Sequence, residues 1–284
     1  MKLKKVLASL LATVAAFATI GMASCGNSGE NVKVMKDILL TEEDYAFAIA
    51  KENTTLLEEV NGMLAEWTAD GSLSKLINSY FDGNTDFKYS NKTSEPKEGD
   101  FIMATNAAFP PFEFKKGSAF TGVDVEIAYN IAQELGKTLF VADMEFDSII
   151  SSVKTGESDI GMAGMTVNET RLLQVNFATP YYSSAQVITV RANDTTFDNC
   201  KTAAEVEAIL ASKGSNYKVG TQNGTTGYMY SKGDEGFGYP GFTNITTNGY
   251  TSGALAMKDL SNGKINAVIL DLQPSLLIAE SVNK

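Results

Sequence analysis

The sequence predicts an α/β protein built as two lobes, and three observations predict it. From residue 101 onward short apolar strands alternate with amphipathic helices, which argues for mostly parallel sheets covered by helices. The alternation restarts after Pro180-Tyr181-Tyr182, where a second α/β unit begins. Two helical patterns nearer the N-terminus are set apart by a polar stretch, 82–100, rich in Asn, Lys, Ser, Thr and Glu and almost free of aliphatic residues.

Taken in order, the chain opens with Lys2, Lys4 and Lys5 and an apolar run from 6 to 20, too short for a comfortable membrane span, so it reads as an export signal. Gly, Asn and Ser then form a short tether to about residue 31. Leu56, Leu57, Val60, Met63, Leu64 and Trp67 fall at helical spacing, stopped near Asp70-Gly71, and Leu73, Leu76, Ile77, Tyr80 and Phe81 mark a second helix. The polar stretch 82–100 is expected to be a flexible linker. Beyond it the pattern gives strands at 101–105, 139–142 and 159–165, a helix at 124–135 ended by Gly136, and a helix through Ile149 and Val153. The second unit gives strands at 186–190, 217–221 and 265–270, helices at 203–210 and 254–260, the turn Gly224-Thr225-Thr226-Gly227, and a closing helix from Pro274.

With 284 residues, 44% hydrophobic and 20% charged, the chain can bury a full-sized core. Its formal charge of −11 repels phosphates, so nucleic acid is not an expected partner. Histidine is absent, which removes the commonest general base and metal ligand together with Ser-His and Cys-His nucleophile pairs. No catalytic residue, cofactor or metal is therefore expected. The Gly220-x-x-x-Gly224 spacing lacks the Lys-Ser/Thr of a phosphate loop, and Asp234-Glu235 reads as a solvated turn.

Two features suit a zwitterion. Thr166 and Glu169 stand at capping-box spacing, so Thr166 is expected to cap a helix whose exposed N–H groups attract an anion, and Arg171 in that first turn adds a bidentate grip on a carboxylate. Asp271 ends an apolar strand, and an acid at the C-terminal edge of a parallel strand points into the crevice where α/β sheets bind ligands.

The block Ala104-Thr105-Asn106-Ala107-Ala108-Phe109-Pro110-Pro111-Phe112-Glu113-Phe114, followed by Gly161-Met162-Ala163-Gly164-Met165-Thr166-Val167-Asn168-Glu169-Thr170-Arg171, resembles the first lobe of the solute-binding proteins, family 3, of polar amino acid ABC uptake systems. The resemblance implies a two-lobed type II periplasmic-binding-protein fold that closes on one free amino acid and delivers it, as a monomer, to an ABC permease in the membrane. It matches Arg171 and Thr166 to the carboxylate site and Asp271 to the ammonium-binding acid, with the carbonyl of Gly164 assisting. Phe109 and Phe146 match aromatic walls, although Phe146 reads equally well as core. Asn106 and Gln222 match positions near the ligand side chain, and Thr225 lies in a turn able to approach the carboxylate. Because Asn106 and Gln222 are uncharged, a neutral polar ligand is expected, unless Glu113 or Glu145 points inward and selects a basic one. Relatives of this fold include dehydratases on prephenate or arogenate, and an enzyme of that type or a ligand-sensing module are the alternatives.

Met22-Ala23-Ser24-Cys25-Gly26 looks like a bacterial lipobox, which implies cleavage before Cys25 and lipid anchoring on the extracytoplasmic face of the cell membrane. The segment 32–83 resembles the family's C-terminal end yet comes first, whereas the chain stops at Lys284 where relatives would run on into a strand. A circular permutation is the expectation, against the alternative of a truncated second lobe with a coincidental helical pair. The expected parts are a signal peptide (1–24), a tether (25–31), the last strand region of lobe 2 (32–43), the C-terminal part of lobe 1 (44–81), a linker (82–100), the main part of lobe 1 (101–182) and lobe 2 (183–284).

Overall fold

In the computed structural model, residues 30–84 and 86–284 are described; the predicted export signal, Cys25 and the tether up to Gly29 lie outside them. Two five-stranded sheets organise the chain. The first runs Asn176–Phe177, Ala48–Ile49, Ile160–Gly161, Phe101–Thr105, Leu139–Asp143, with Phe101–Thr105 parallel to both its neighbours and Ala48–Ile49 antiparallel to both of its own. The second runs Val32–Val34, Gln186–Arg191, Ala267–Asp271, Lys218–Gln222, Thr246–Tyr250, parallel across its last three strands. The C-terminal edges of Phe101–Thr105 and Lys218–Gln222 end at Asn106 and Gln222, which hydrogen-bond one another, so both sheets offer their ligand-facing edge to one cleft.

Two segments cross between the sheets. Glu43–Tyr45 pairs antiparallel with Tyr182–Ser184 as a separate two-stranded ribbon, with Tyr45 opposite Tyr182. In Glu43–Tyr45 the outer two residues are buried and Asp44 is exposed, because strand side chains alternate faces. That alternation aims Glu43 and Tyr45 the same way, toward the cleft.

Helices follow from their apolar stripes. Asn53 caps Thr54–Ala69 by accepting from Leu56 N at 3.2 Å, and Leu56, Val60 and Leu64 bury one face at four-residue spacing. Fully burying each such leucine or valine is worth about 1.5–3 kcal/mol. Ser72–Phe81 docks on the first lobe through Tyr80, whose hydroxyl donates to Glu126 Oε2 at 2.6 Å on helix Val123–Glu134. At the second lobe's edge, Asn283 holds the N-terminal strand: its Oδ1 accepts from Asn31 N (2.8 Å) and Val32 N (3.0 Å), and its Nδ2 donates to Val32 O at 2.9 Å.

Three local expectations are corrected. The stretch 82–100 is a strap rather than a free linker: Tyr89 is buried and exchanges backbone hydrogen bonds with Phe120 (2.8 and 2.7 Å), and Asn91 clips both backbone groups of Val141 at 2.9 Å. Two anchoring side chains outweigh a polar average. The strand expected at 159–165 is only Ile160–Gly161, because the backbone turns away at Gly164, φ +52°, to donate its N–H to Asp124 Oδ2 at 3.0 Å. The closing helix is Leu272–Asn283 rather than starting at Pro274; Pro274 sits in its first turn, where a missing N–H costs nothing.

Candidate functional site

The cleft between the sheets holds one narrow cavity lined by Phe109, Glu113, Phe146, Ala163, Gly164, Thr166, Arg171, Gln222, Thr225, Thr226 and Asp271. Arg171 and Asp271 enter it from opposite lobes. The enclosed space is about 10 Å³, room for roughly one water-sized sphere, so anything as large as an amino acid enters only when the lobes part.

Arg171 lies in the short helix Glu169–Leu172 and is 4% exposed. Its Nη1 donates to Thr166 O at 2.6 Å and its Nη2 reaches across to Gly224 O on the second lobe at 3.0 Å, while the Phe146 ring lies 5.3 Å from its guanidinium carbon. Burial lowers its pKa to about 10, still well charged at neutral pH. Thr166 is not the helix cap that spacing suggests. Asn168 is, accepting from Arg171 N at 2.9 Å, and Thr166 instead donates its hydroxyl to Glu43 Oε2 at 2.5 Å.

On the second lobe, Asp271 ends strand Ala267–Asp271, is 4% exposed, and accepts from the hydroxyl of Tyr45. Burial, and then the charge of Glu43, push its pKa up to about 7. Gln222 Nε2 donates to Asn106 Oδ1 at 3.0 Å, and Asn106 Nδ2 donates to Met144 O at 2.7 Å. One bond thus joins the two amides across the cleft, and Gln222 Oε1 is left without a protein partner. Thr225 turns its hydroxyl back to Gln222 O at 2.8 Å, whereas the neighbouring Thr226 aims across, 3.1 Å from the Thr166 hydroxyl. Gly164 leaves room for rings: a Cβ there would come within 2.8 Å of the Phe109 ring.

All nine predicted binding residues therefore converge on one place, eight along the cavity wall and Asn106 through its bond to Gln222. Cys25 lies outside the described residues. Of the two acids left open by the sequence, Glu113 is fully buried on the cavity wall and Glu145 is exposed. Neither Glu113 oxygen has a protein hydrogen-bond donor, and burial followed by the nearby Asp124 carboxylate raises its pKa well above the ordinary range. Asp124, itself raised to about 6 by burial, accepts from Tyr181 OH at 2.6 Å and from Gly164 N.

Sequence reasoning missed Glu43, Tyr45 and Thr226. Glu43 is a hub of the crossing ribbon, accepting from Thr41 Oγ1 (2.7 Å), Gln186 Nε2 (2.9 Å) and Thr166 Oγ1. The alternation in Glu43-Asp44-Tyr45 was the available signal.

The model of the bacterial extracellular solute-binding proteins, family 3, matches residues 101–273. The chain belongs to this family. Among curated relatives, the arginine-binding extracellular protein ArtP of Bacillus subtilis is 38% identical over 99 residues, covering 35% of this chain and 39% of ArtP. The arginine-binding periplasmic protein of Mannheimia haemolytica is 31% identical over 185 residues, covering 64% of this chain and 66% of that protein. This family 3 chain thus spans less than two thirds of the length of either relative. Among solved structures, the ancestral amino acid-binding protein AncCDT-1, described as a precursor of cyclohexadienyl dehydratase, aligns with TM-score 0.56 at 28% identity, over 64% of this chain and 74% of that one. Holo ArgBP from T. maritima aligns with TM-score 0.52 at 30% identity, over 64% and 74%. These neighbours share the mixed α/β architecture of two-lobed amino acid-binding proteins.

Proposed function

We propose that the chain is an extracytoplasmic receptor of an ABC uptake system that closes its two lobes around one free amino acid, and that this amino acid carries a cationic side chain. One observation carries the reading: a buried guanidinium and a buried carboxylate from opposite lobes face a single cavity whose third polar wall, Glu113, has no donor of its own. Arg171, with Thr166, would take the ligand carboxylate and Asp271 the ammonium. The ligand side chain would meet Glu113. A cation there would favour the ionised form of Glu113 and offset the burial that now raises its pKa.

The neutral polar expectation gives way in this reading, because the amide donors that motivated it are taken, Gln222 Nε2 by Asn106 Oδ1 and Asn106 Nδ2 by Met144 O, which leaves only the acceptor Gln222 Oε1 for a ligand donor. The arginine-binding relatives in B. subtilis and M. haemolytica support the cationic choice. Phe109 and Phe146 would sandwich the alkyl stem.

The same reading takes the chain as a monomeric, lipid-anchored permutant, with Cys25 as the lipidation site and the expected parts bounded as in the sequence. Three observations support the permutation. The family match begins only at 101, strand Val32–Val34 completes the second sheet where helix Leu272–Asn283 ends, and Asn31 and Asn283 are hydrogen-bonded. The anchor would then sit on the second lobe, at the edge strand of its sheet.

A thermal-shift screen of the purified chain against the twenty amino acids tests the function. L-Arginine or L-lysine at a hundred times its dissociation constant stabilises the fold by about 2.7 kcal/mol. Larger shifts with L-glutamine or L-serine would overturn the ligand class, and no shift with any amino acid would overturn the receptor. A second reading, dehydratase chemistry, rests on the protonated Glu113 as a general acid; turnover of prephenate or arogenate by the same preparation would favour it.

A further inference from the structure

We propose that Phe237, carried on a glycine-hinged flap of the second lobe (residues 233–241), is a positioning residue of the amino acid site that adds a second aromatic ring against the Arg171 guanidinium and latches the two lobes together. This rests on the reading of Arg171 as the carboxylate grip. The Phe237 ring lies 5.4 Å from the Arg171 guanidinium carbon and the Phe146 ring 5.3 Å, one supplied by each lobe.

With both rings against it and two N–H groups held by the carbonyls of Thr166 and Gly224, the guanidinium keeps its remaining in-plane donors for a carboxylate. Rings on a cation also exclude water, which strengthens the ion pair made at its edge.

The flap is built to move with the second lobe and touch the first. Its root is fixed to second-lobe core residues: Tyr239 stacks edge-on against Tyr230 at 5.4 Å, and Tyr230 packs on Phe242 at 5.7 Å. Asp234 and Tyr239 exchange backbone hydrogen bonds at 2.9 and 3.0 Å, closing the loop, and Asp234 Oδ1 accepts from Phe237 N at 3.0 Å, which orients the ring-bearing backbone. Gly233 and Gly241 sit at φ +95° and +66° with their backbones pressed together, where no side chain fits. The tip lands on first-lobe helix Glu169–Leu172: a Cβ at Gly236 would stand 3.5 Å from the Cβ of Thr170.

That separation lies in the range bridged by a disulfide. In a Cys25→Ser, Cys200→Ser background, Gly236→Cys with Thr170→Cys is expected to cross-link on oxidation, read by mass spectrometry, and to stop exchange of preloaded radiolabelled L-arginine until reduced. Phe237→Ala is expected to raise the L-arginine dissociation rate roughly tenfold with the association rate nearly unchanged and the ligand-free melting temperature close to wild type. Phe237→Trp, which keeps a ring, should retain slow release. Failure to cross-link, free exchange in the cross-linked protein, or a wild-type dissociation rate in Phe237→Ala overturns the proposal. A wild-type chain that binds no amino acid removes the receptor reading and this role with it, whereas L-arginine binding with an unchanged Phe237→Ala dissociation rate removes this role alone.

Discussion

Glu43 Oε2 accepts a hydrogen bond from Thr166 Oγ1 at 2.5 Å, across 123 residues of sequence, and so ties the crossing ribbon to the loop that presents Arg171. The same carboxylate raises the pKa of Asp271, so the ribbon is electrostatically coupled to both poles of the site.

Glu43→Gln tests that coupling. An amide cannot accept from Thr41, Gln186 and Thr166 together without leaving a buried donor unpaired, which costs about 1–3 kcal/mol. Denaturant titration should show that loss. It should be accompanied by a lower midpoint for the titration of Asp271, since one of the two causes raising it is gone.

Closure should depend on pH in a stated direction. In the closed arrangement Asp271 titrates near 7; parted lobes return it to water, toward the ordinary value of about 3.9. Closing therefore takes up a proton between about pH 4 and 7, and the ligand-free closed form is favoured below that window and lost as pH rises through it. Small-angle scattering should give a smaller radius of gyration at pH 5 than at pH 8, with the difference reduced in Asp271→Asn, where Glu113 is the remaining buried acid of the cavity. Equal radii at both values in the wild type would contradict the assignment.

Glu113→Gln separates ligand classes. If Glu113 pairs with a cationic side chain, the substitution should weaken L-arginine binding by at least about tenfold while leaving L-glutamine within a few-fold, as measured by calorimetry. Equal changes for both ligands would remove Glu113 as the selecting group.

The permutation makes its own prediction. A chain begun at residue 82, so that the strap is kept, with Lys284 joined directly to Asn31 and ended after Phe81, should fold and bind as the natural order does, because Asn31 and Asn283 are already hydrogen-bonded. Loss of folding in the rejoined chain, with the natural order intact, would count against it.

Much of the architecture was legible because strands such as 101–105 and 186–190 are apolar runs between turn residues, and the helix stripes repeat at three and four. Arg171 and Asp271 were legible because each sits at an element end, where geometry aims side chains into a crevice. Glu43 and Tyr45 were not, since the alternation in Glu43-Asp44-Tyr45 gives them a common face but their partners Thr166 and Asp271 lie more than a hundred residues away. The cap assigned to Thr166 failed for a related reason: Asn168 stands two residues on and competes for the same helix end, while a distant carboxylate takes the threonine hydroxyl. Phe237 lies in a glycine-rich loop without periodicity, so its approach to Arg171 could be seen only in three dimensions.

The most direct test of the account is calorimetric titration of L-arginine into wild type, Arg171→Ala and Asp271→Asn. The account predicts one site per chain in the wild type and a loss of about 2–5 kcal/mol of binding free energy in either variant, the range for breaking one partner of a buried charged pair. Wild-type affinity retained in both variants would contradict it.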